Sequence, residues 1–134
     1  MITWSHIYSV GVEEIDVQHH RFFDLIAELF HARDFTTYNA TVLPYILKEL
    51  TAYAEYHFAA EEKYFELYNY EFAEEHKVQH RNFEKYVHDL TSRHEGGEKD
   101  IIIPLAEFME EWLVNHIADS DKKYVACFKK NGVI

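Results

Sequence analysis

The chain has 134 residues, a single cysteine and a formal net charge of −11 with its histidines neutral. One cysteine excludes an internal disulfide and any cysteine-based zinc or iron–sulfur site, and the negative charge disfavours nucleic acid and anionic membranes as partners. The length predicts one domain over residues 1–134, which we expect to be monomeric and cytoplasmic. We expect neither a signal peptide nor a transmembrane helix, because the required apolar runs are missing.

Apolar residues at helical spacing predict four helices joined by short connections. The helices are expected over residues 17–33, 40–66, 72–93 and from near Pro104 to about Lys130, with connections at 34–39, 67–71 and 94–100. Asp16 is the expected cap of the first helix, and Pro44 is expected in the first turn of the second. Residues 1–15 lack a helical period and predict an extended arm that Trp4 anchors. The pattern therefore predicts an all-α, up-down-up-down four-helix bundle with an N-terminal arm.

Seven residues of types that bind metals interrupt the apolar faces of these four helices. They are His19, His57, Glu61, His76, His80, His116 and Asp121. A buried neutral polar group without a partner costs roughly 2–7 kcal/mol, and a buried charge costs more. One histidine on such a face is usually a hydrogen-bonded core residue, but seven ligand types at these spacings predict a metal centre.

Two pairs of these residues, His57/Glu61 and His76/His80, have a spacing of four, which places each pair on one helix face. Imidazoles and carboxylates without thiolates suit iron, manganese or zinc. Five histidines and two carboxylates are enough for two ions if the carboxylates bridge. With a bridging oxygen as well, an ion with three histidines is closed and an ion with two keeps one open position.

The spacing leaves the carboxylate on the fourth helix undecided. Asp119 follows His116 by three residues, as a ligand on the same face would. Asp121 follows His116 by five residues, about 140° around an ideal α-helix, and needs a kink or a π-bulge to point inward. The residues alone give the two aspartates about equal weight.

Five segments in order resemble the hemerythrin family, and most of all its single-domain bacterial members. They are Trp4, GVEEIDVQHH at 11–20, HFAAEE at 57–62, HKVQH at 76–80 and WLVNHIADSDKKY at 112–124. The resemblance implies that Asp121 rather than Asp119 is a ligand. It also implies two iron ions bridged by Glu61, Asp121 and an oxo or hydroxo group. The closed iron would take His76, His80 and His116, and the open iron would take His19 and His57.

The function implied by the resemblance is reversible, non-enzymatic binding of dioxygen for transport, storage or delivery, with any protein that receives the oxygen left open. The expected oxygen pocket consists of Phe23, Phe58, Trp112, Leu113 and Ile117. Family members often carry methionine where this chain has Phe65, so we expect an altered pocket shape with the metal retained. Glu62 is expected to be solvated or to lie beside a ligand, and Tyr64 or Tyr124 could approach the centre.

Other functions remain open at this stage. An oxygen or redox sensor would need a separate partner, and iron storage or nitric oxide binding are further alternatives. A ferritin-like oxidase or peroxidase needs two Glu-x-x-His motifs, whereas the only one here is Glu28/His31, in which Glu28 points about 180° away from His19. A zinc hydrolase is disfavoured because HKVQH lacks the glutamate of His-Glu-x-x-His. The remaining histidines are expected at the surface; they are His6, His20, His31, His88 and His94.

Overall fold

Helices make up most of the protein in the computed structural model, which describes residues 3–34 and 36–134, without the side chains of residues 34 and 36–41. The described chain contains no strand. Its α-helices are α1 (Glu13–Asp34), α2 (Thr36–Leu67), α3 (Ala73–Glu95), α4 (Ile102–Asn115) and α5 (Val125–Lys130). A short 3-10 turn at His6–Tyr8 precedes α1, and a π-helical turn at His116–Asp121 follows α4. None of the described helices is long and apolar enough to span a membrane.

The four long helices pack in a ring: α1 contacts α2 and α4, and α3 also contacts both α2 and α4. This arrangement confirms the predicted all-α four-helix bundle. Its interior holds two apolar clusters. The larger one includes Phe22, Phe58 and Phe83, and the smaller one includes Phe65 and Tyr124. Rings from both clusters contact buried histidines, so a polar region lies between the two clusters.

The first helix begins earlier than predicted, at Glu13 instead of residue 17. Val12 and Ile15 are buried in the smaller cluster, and their burial favours a helix that starts directly after Gly11. Asp16 therefore lies in the first turn and is not the cap. Its carboxylate instead accepts hydrogen bonds from the Ser9 hydroxyl and the Val10 N–H, at 2.5 and 2.9 Å.

The N-terminal arm is not wholly extended, because the 3-10 turn at His6–Tyr8 interrupts it. Trp4 anchors the arm as expected: it packs against the larger cluster, and its ring stacks on His20 with 5.4 Å between centroids.

The second helix also begins earlier than predicted, at Thr36, so the expected turn at 34–39 is wrong for residues 36–39. Residue 35 lies outside the described residues. Pro44 consequently lies inside α2 and not in its first turn. Burial of Leu43, Ile46 and Leu47 in the core outweighs the hydrogen bond that a proline cannot donate. Pro104 does lie in the first turn of α4, as predicted.

Candidate metal centre

The fold brings all seven predicted ligands together in the bundle interior, where their exposed fractions are 0–4%. His19 comes from α1, the pair at 57 and 61 from α2, the pair at 76 and 80 from α3, and the last two from the π-helical turn. Within each of two groups, the candidate ligand atoms lie within 4.8 Å of one another. The first group is Glu61, His76, His80 and His116, and the second is His19, His57, Glu61 and Asp121. Glu61 belongs to both groups, so the two groups of candidate donors adjoin at one carboxylate.

The Asp121 carboxylate spans the two groups. Its Oδ1 lies 2.9 Å from His76 Nε2 and 3.0 Å from His116 Nε2. Its Oδ2 lies 3.0 Å from His19 Nε2. Asp119, in contrast, is largely exposed and lies 3.8 Å from Lys123. The structure therefore brings Asp121, and not Asp119, to the cluster.

A local change of helix type explains how Asp121 reaches the interior. Residues His116–Asp121 form a π-helical turn, in which residue i bonds to i+5. Residues five apart consequently lie on the same side, which an α-helix would not allow. From the sequence, Asp121 could point inward only if the helix had a kink or a π-bulge. The backbone has such a π-helical turn.

Glu61 on α2, like Asp121, faces histidines of both groups. Its Oε1 lies 3.2 Å from His57 Nε2 on the same helix and 3.1 Å from His80 Nε2 on α3. The two histidines belong to different groups, so one carboxylate oxygen faces both.

Most of these buried atoms lack a hydrogen-bond partner within the part of the chain that the structure describes. They are both nitrogens of His19, Nε2 of His76, His80 and His116, and both carboxylate oxygens of Glu61 and Asp121. Buried polar atoms without partners are costly. A bound cation would satisfy the carboxylate oxygens and the Nε2 atoms that face them, but not Nδ1 of His19, which points away from them. The donor set of imidazoles and carboxylates fits iron, manganese or zinc.

Two glutamines orient histidines of the cluster from outside it. The amide oxygen of Gln18 accepts a hydrogen bond from His57 Nδ1, and that of Gln79 accepts one from His116 Nδ1, both at 2.7 Å. The Ser120 hydroxyl also donates to the Gln79 oxygen, at 2.7 Å. Because an amide oxygen only accepts, each histidine carries its proton on Nδ1 and directs the Nε2 lone pair into the cluster.

Glu62 has the same role for His80. Its Oε2 accepts from His80 Nδ1 at 2.8 Å and from Arg81 at 2.6 Å. Burial lowers the pKa of His80, but the adjacent carboxylates of Glu61 and Glu62 outweigh burial and raise the pKa to about 9. Of the two roles expected for Glu62, the structure supports a position beside a ligand.

The sequence analysis missed Gln18 and Gln79, although a signal for them exists. Gln18 directly precedes His19, and Gln79 directly precedes His80. A neighbour in sequence is rotated about 100° around a helix, so it points towards the adjacent helix while the ligand points inward. Polar residues next to a ligand are therefore candidates for orienting a ligand on the neighbouring helix.

The electrostatics of the cluster shift its carboxyls and its histidines differently. Burial opposes ionisation of Glu61 and Asp121, but the surrounding histidines outweigh it and hold the pKa of both carboxyls below the ordinary range. Burial lowers the pKa of His57 and His116, whereas burial of His19 is outweighed by the Asp121 carboxylate, which raises the pKa of His19. The carboxylates are thus held in the ionised form that coordinates a cation, and histidines coordinate one as neutral imidazoles.

Aromatic rings enclose the cluster on several sides. Phe58 stacks on His80 with 3.9 Å between centroids and 8° between planes. Trp112 stacks on His116 at 4.3 Å and 13°. Phe65, the departure from the family pattern, packs 4.8 Å from His76.

For the remaining candidates of the oxygen pocket, the structure shows contacts with the apolar core. Phe23 contacts Tyr8, with 4.9 Å between ring centroids, and Leu113 and Ile117 are buried in the larger cluster. Phe22, which was not among the candidates, meets the ring of His57 edge-on at 5.3 Å.

The five other histidines lie at or near the surface, and the two tyrosines differ in burial. His6, His20, His31 and His88 are exposed and His94 is half-buried. Tyr64 donates a hydrogen bond to Glu14 at the surface, at 2.8 Å, whereas Tyr124 is fully buried.

Known proteins share both the sequence pattern and the fold. Residues 10–128 match the model of the Hemerythrin HHE cation binding domain. The chain belongs to the hemerythrin family. It is 32% identical over 124 residues to a bacteriohemerythrin of Stenotrophomonas maltophilia, covering 92% of this chain and 79% of the relative. It is also 35% identical over 121 residues to a hemerythrin-like protein of Naegleria gruberi, covering 90% and 88% of the two chains.

A solved wild-type hemerythrin superimposes on this chain with a TM-score of 0.85 at 29% sequence identity, covering 95% of this chain and 97% of that one. The matching family model describes a cation binding domain, and the buried cluster contains two groups of residues that could hold a metal ion.

Proposed function

We propose that this protein holds two iron ions in the buried cluster and binds dioxygen there reversibly, without acting as an enzyme. The observation that carries the proposal is the division of seven buried donors into two groups that share Glu61. Two groups with a common carboxylate are what a pair of ions bridged by that carboxylate requires.

In this proposal each ion has its own histidines. His76, His80 and His116 hold one ion, and His19 and His57 hold the other. Glu61 and Asp121 would contribute carboxylate oxygens to both ions. The ion held by His19 and His57 would have fewer protein ligands and would be the one that binds dioxygen; iron would supply the electrons that this binding needs.

The histidines proposed to hold the dioxygen-binding ion are buried. The exposed fractions of His19 and His57 are 0% and 1%, and those of His80, His76 and His116 are 0%, 3% and 4%. A cleft of about 400 Å³ lies beside Trp112 and His116, on the side of the group with three histidines. The side proposed for dioxygen is therefore shielded from solvent, which limits proton delivery and favours release of oxygen unchanged.

The test is iron stoichiometry combined with the optical spectrum of the reduced protein, cycled between nitrogen and air. Two irons per chain and a visible band that appears in air and disappears under nitrogen would support reversible binding. A single irreversible oxidation would contradict it in favour of an oxidase, a peroxidase or a redox sensor. Fewer than two irons per chain would contradict the assignment of the two groups.

A further inference from the structure

Tyr124 has the features of an additional member of the centre. Its side chain is 0% exposed, and its hydroxyl finds no hydrogen-bond partner among the residues that the structure describes. Both oxygens of Glu61 are equally buried and equally without partners there. A donor and an acceptor that each lack a partner thus occur in one buried region, and leaving both unsatisfied is costly.

The position of the Tyr124 ring is fixed by its surroundings. The backbone N–H of Tyr124 donates to the carbonyl of Asp121 at 3.3 Å, which ties the tyrosine to the π-helical turn. The ring stacks on Phe128 at 4.4 Å and lies 5.6 Å from Phe65 and 5.8 Å from His76. The phenol therefore cannot turn to solvent for a partner.

The neighbours of Tyr124 place its ring close to Glu61. The ring of His76 lies 5.8 Å from the Tyr124 ring, and His76 Nε2 lies 3.9 Å from Glu61 Oε1. Both Asp121 oxygens already face histidines, and Oε1 of Glu61 does too. Oε2 of Glu61 is left as the acceptor for this hydroxyl.

We propose that Tyr124 is a positioning residue of the metal centre, whose hydroxyl donates a hydrogen bond to Glu61 when a cation is bound. This inference rests on the proposed function. A hydrogen bond of this kind withdraws electron density from the carboxylate, which then donates less to the cation. The lower oxidation state of a bound metal is favoured as a result, so Tyr124 slows oxidation of the reduced protein.

The hydrogen bond can be observed without iron, in protein loaded with zinc and labelled with ¹³C at the ζ carbon of tyrosine. The Tyr124 signal should shift on zinc loading and show a slowly exchanging hydroxyl proton. The signal is assigned to Tyr124 because it is absent from the Tyr124→Phe variant. If that variant does not fold, contacts with the His76 ring assign the signal in the wild type. Zinc bound without any change of this signal would overturn the inference, whereas failure to bind zinc would overturn the metal centre itself.

The consequence for redox behaviour is tested on the iron-loaded protein. Tyr124→Phe should keep the wild-type iron content, lower the reduction potential and oxidise in air about tenfold faster, the factor that corresponds to about 1.4 kcal/mol. Tyr64→Phe is the matched control, because it also removes a hydroxyl near a carboxylate, but at the surface. Equal oxidation rates and potentials in wild type and Tyr124→Phe would overturn the inference.

Discussion

Two aspartates two positions apart have opposite environments. Asp121 is 0% exposed and faces three histidines, whereas Asp119 lies at the surface near Lys123. A carboxylate among histidines can bind a cation together with them, whereas a surface carboxylate cannot. The two substitutions to alanine should therefore differ sharply in their effect on metal binding.

We predict that Asp121→Ala loses bound iron and that Asp119→Ala keeps it. Asp121 supplies an oxygen to each group of donors, while the ion pair of Asp119 is exposed and worth about 1 kcal/mol or less. Iron content per chain, measured after purification of both variants in parallel, checks this prediction. Iron retained in Asp121→Ala and lost from Asp119→Ala would show that the π-helical turn is wrongly placed.

The pKa of Tyr70 makes a prediction for alkaline pH. Burial, followed by the Cys127 thiol and nearby carboxylates, raises the pKa of Tyr70 to about 12 in the folded protein. An unfolded tyrosine ionises near pH 10. Between these values the unfolded chain releases a proton that the folded chain retains, so the free energy of unfolding falls as pH rises from about 10 to 12.

The corresponding variant is Tyr70→Phe. It should lose less stability than wild type between pH 9 and pH 11, because it removes one group that ionises only on unfolding. Urea unfolding of the variant and the wild type at the two pH values measures the difference. An equal loss in Tyr70→Phe and wild type would show that Tyr70 ionises normally in the folded protein.

At the scale of elements, two helices depart from ideal geometry, and the departures have different consequences. The π-helical turn after α4 places a candidate ligand. Pro44 inside α2 is exposed, and no residue of the cluster is near it in sequence. The first irregularity is therefore tied to the centre, whereas the second only reduces the stability of the helix.

Pro44→Ala should stabilise the protein. Alanine restores the missing N–H donor and is about 3 kcal/mol more favourable than proline inside a helix. Because α2 has adapted to the proline, we expect the free energy of unfolding to rise by roughly 1–3 kcal/mol. Chemical unfolding measures the gain, and Lys48→Ala, an exposed site in the same helix, serves as the control. A loss of stability would indicate that α2 is interrupted before Pro44.

At the scale of the whole molecule, the cluster links the four helices through one set of polar groups. Histidines and carboxylates from α1, α2, α3 and the π-helical turn meet where an apolar core would otherwise continue. Without a cation these groups are partly unsatisfied. Metal binding should therefore contribute directly to the stability of the fold.

His76→Ala should lose iron and much of the thermal stability that iron confers. A ligand present at 1,000 times its Kd stabilises the folded state by about 4 kcal/mol, and the variant should approach the melting temperature of chelator-treated wild type. Iron content and melting temperature are measured together. His88→Ala, at an exposed position of the same helix, should have the iron content and melting temperature of the wild type. If His76→Ala also had both, His76 would not be a ligand.

Much of the fold followed from periodicity, since the apolar residues of four helices repeat at helical spacing. The boundaries were less accurate where tertiary burial decided them. Val12 and Ile15 extend α1 backwards because they fill the smaller cluster, and α2 continues through a proline that a local rule would place at its start. Neither effect is visible to a pattern that considers one helix at a time.

The sequence by itself indicated six candidate ligands, the five histidines and Glu61, because each carries a polar group on a helix face that must be buried. It left Asp119 and Asp121 open until family resemblance was considered, because helical spacing assumes a regular helix and the backbone there is a π-helical turn. Only the tertiary structure decided the contacts between helices. Gln18 reaches His57 across 39 residues, Gln79 reaches His116 across 37, and the Tyr124 ring lies 5.8 Å from that of His76. Such contacts depend on how neighbouring helices are rotated against each other, which no single helix encodes.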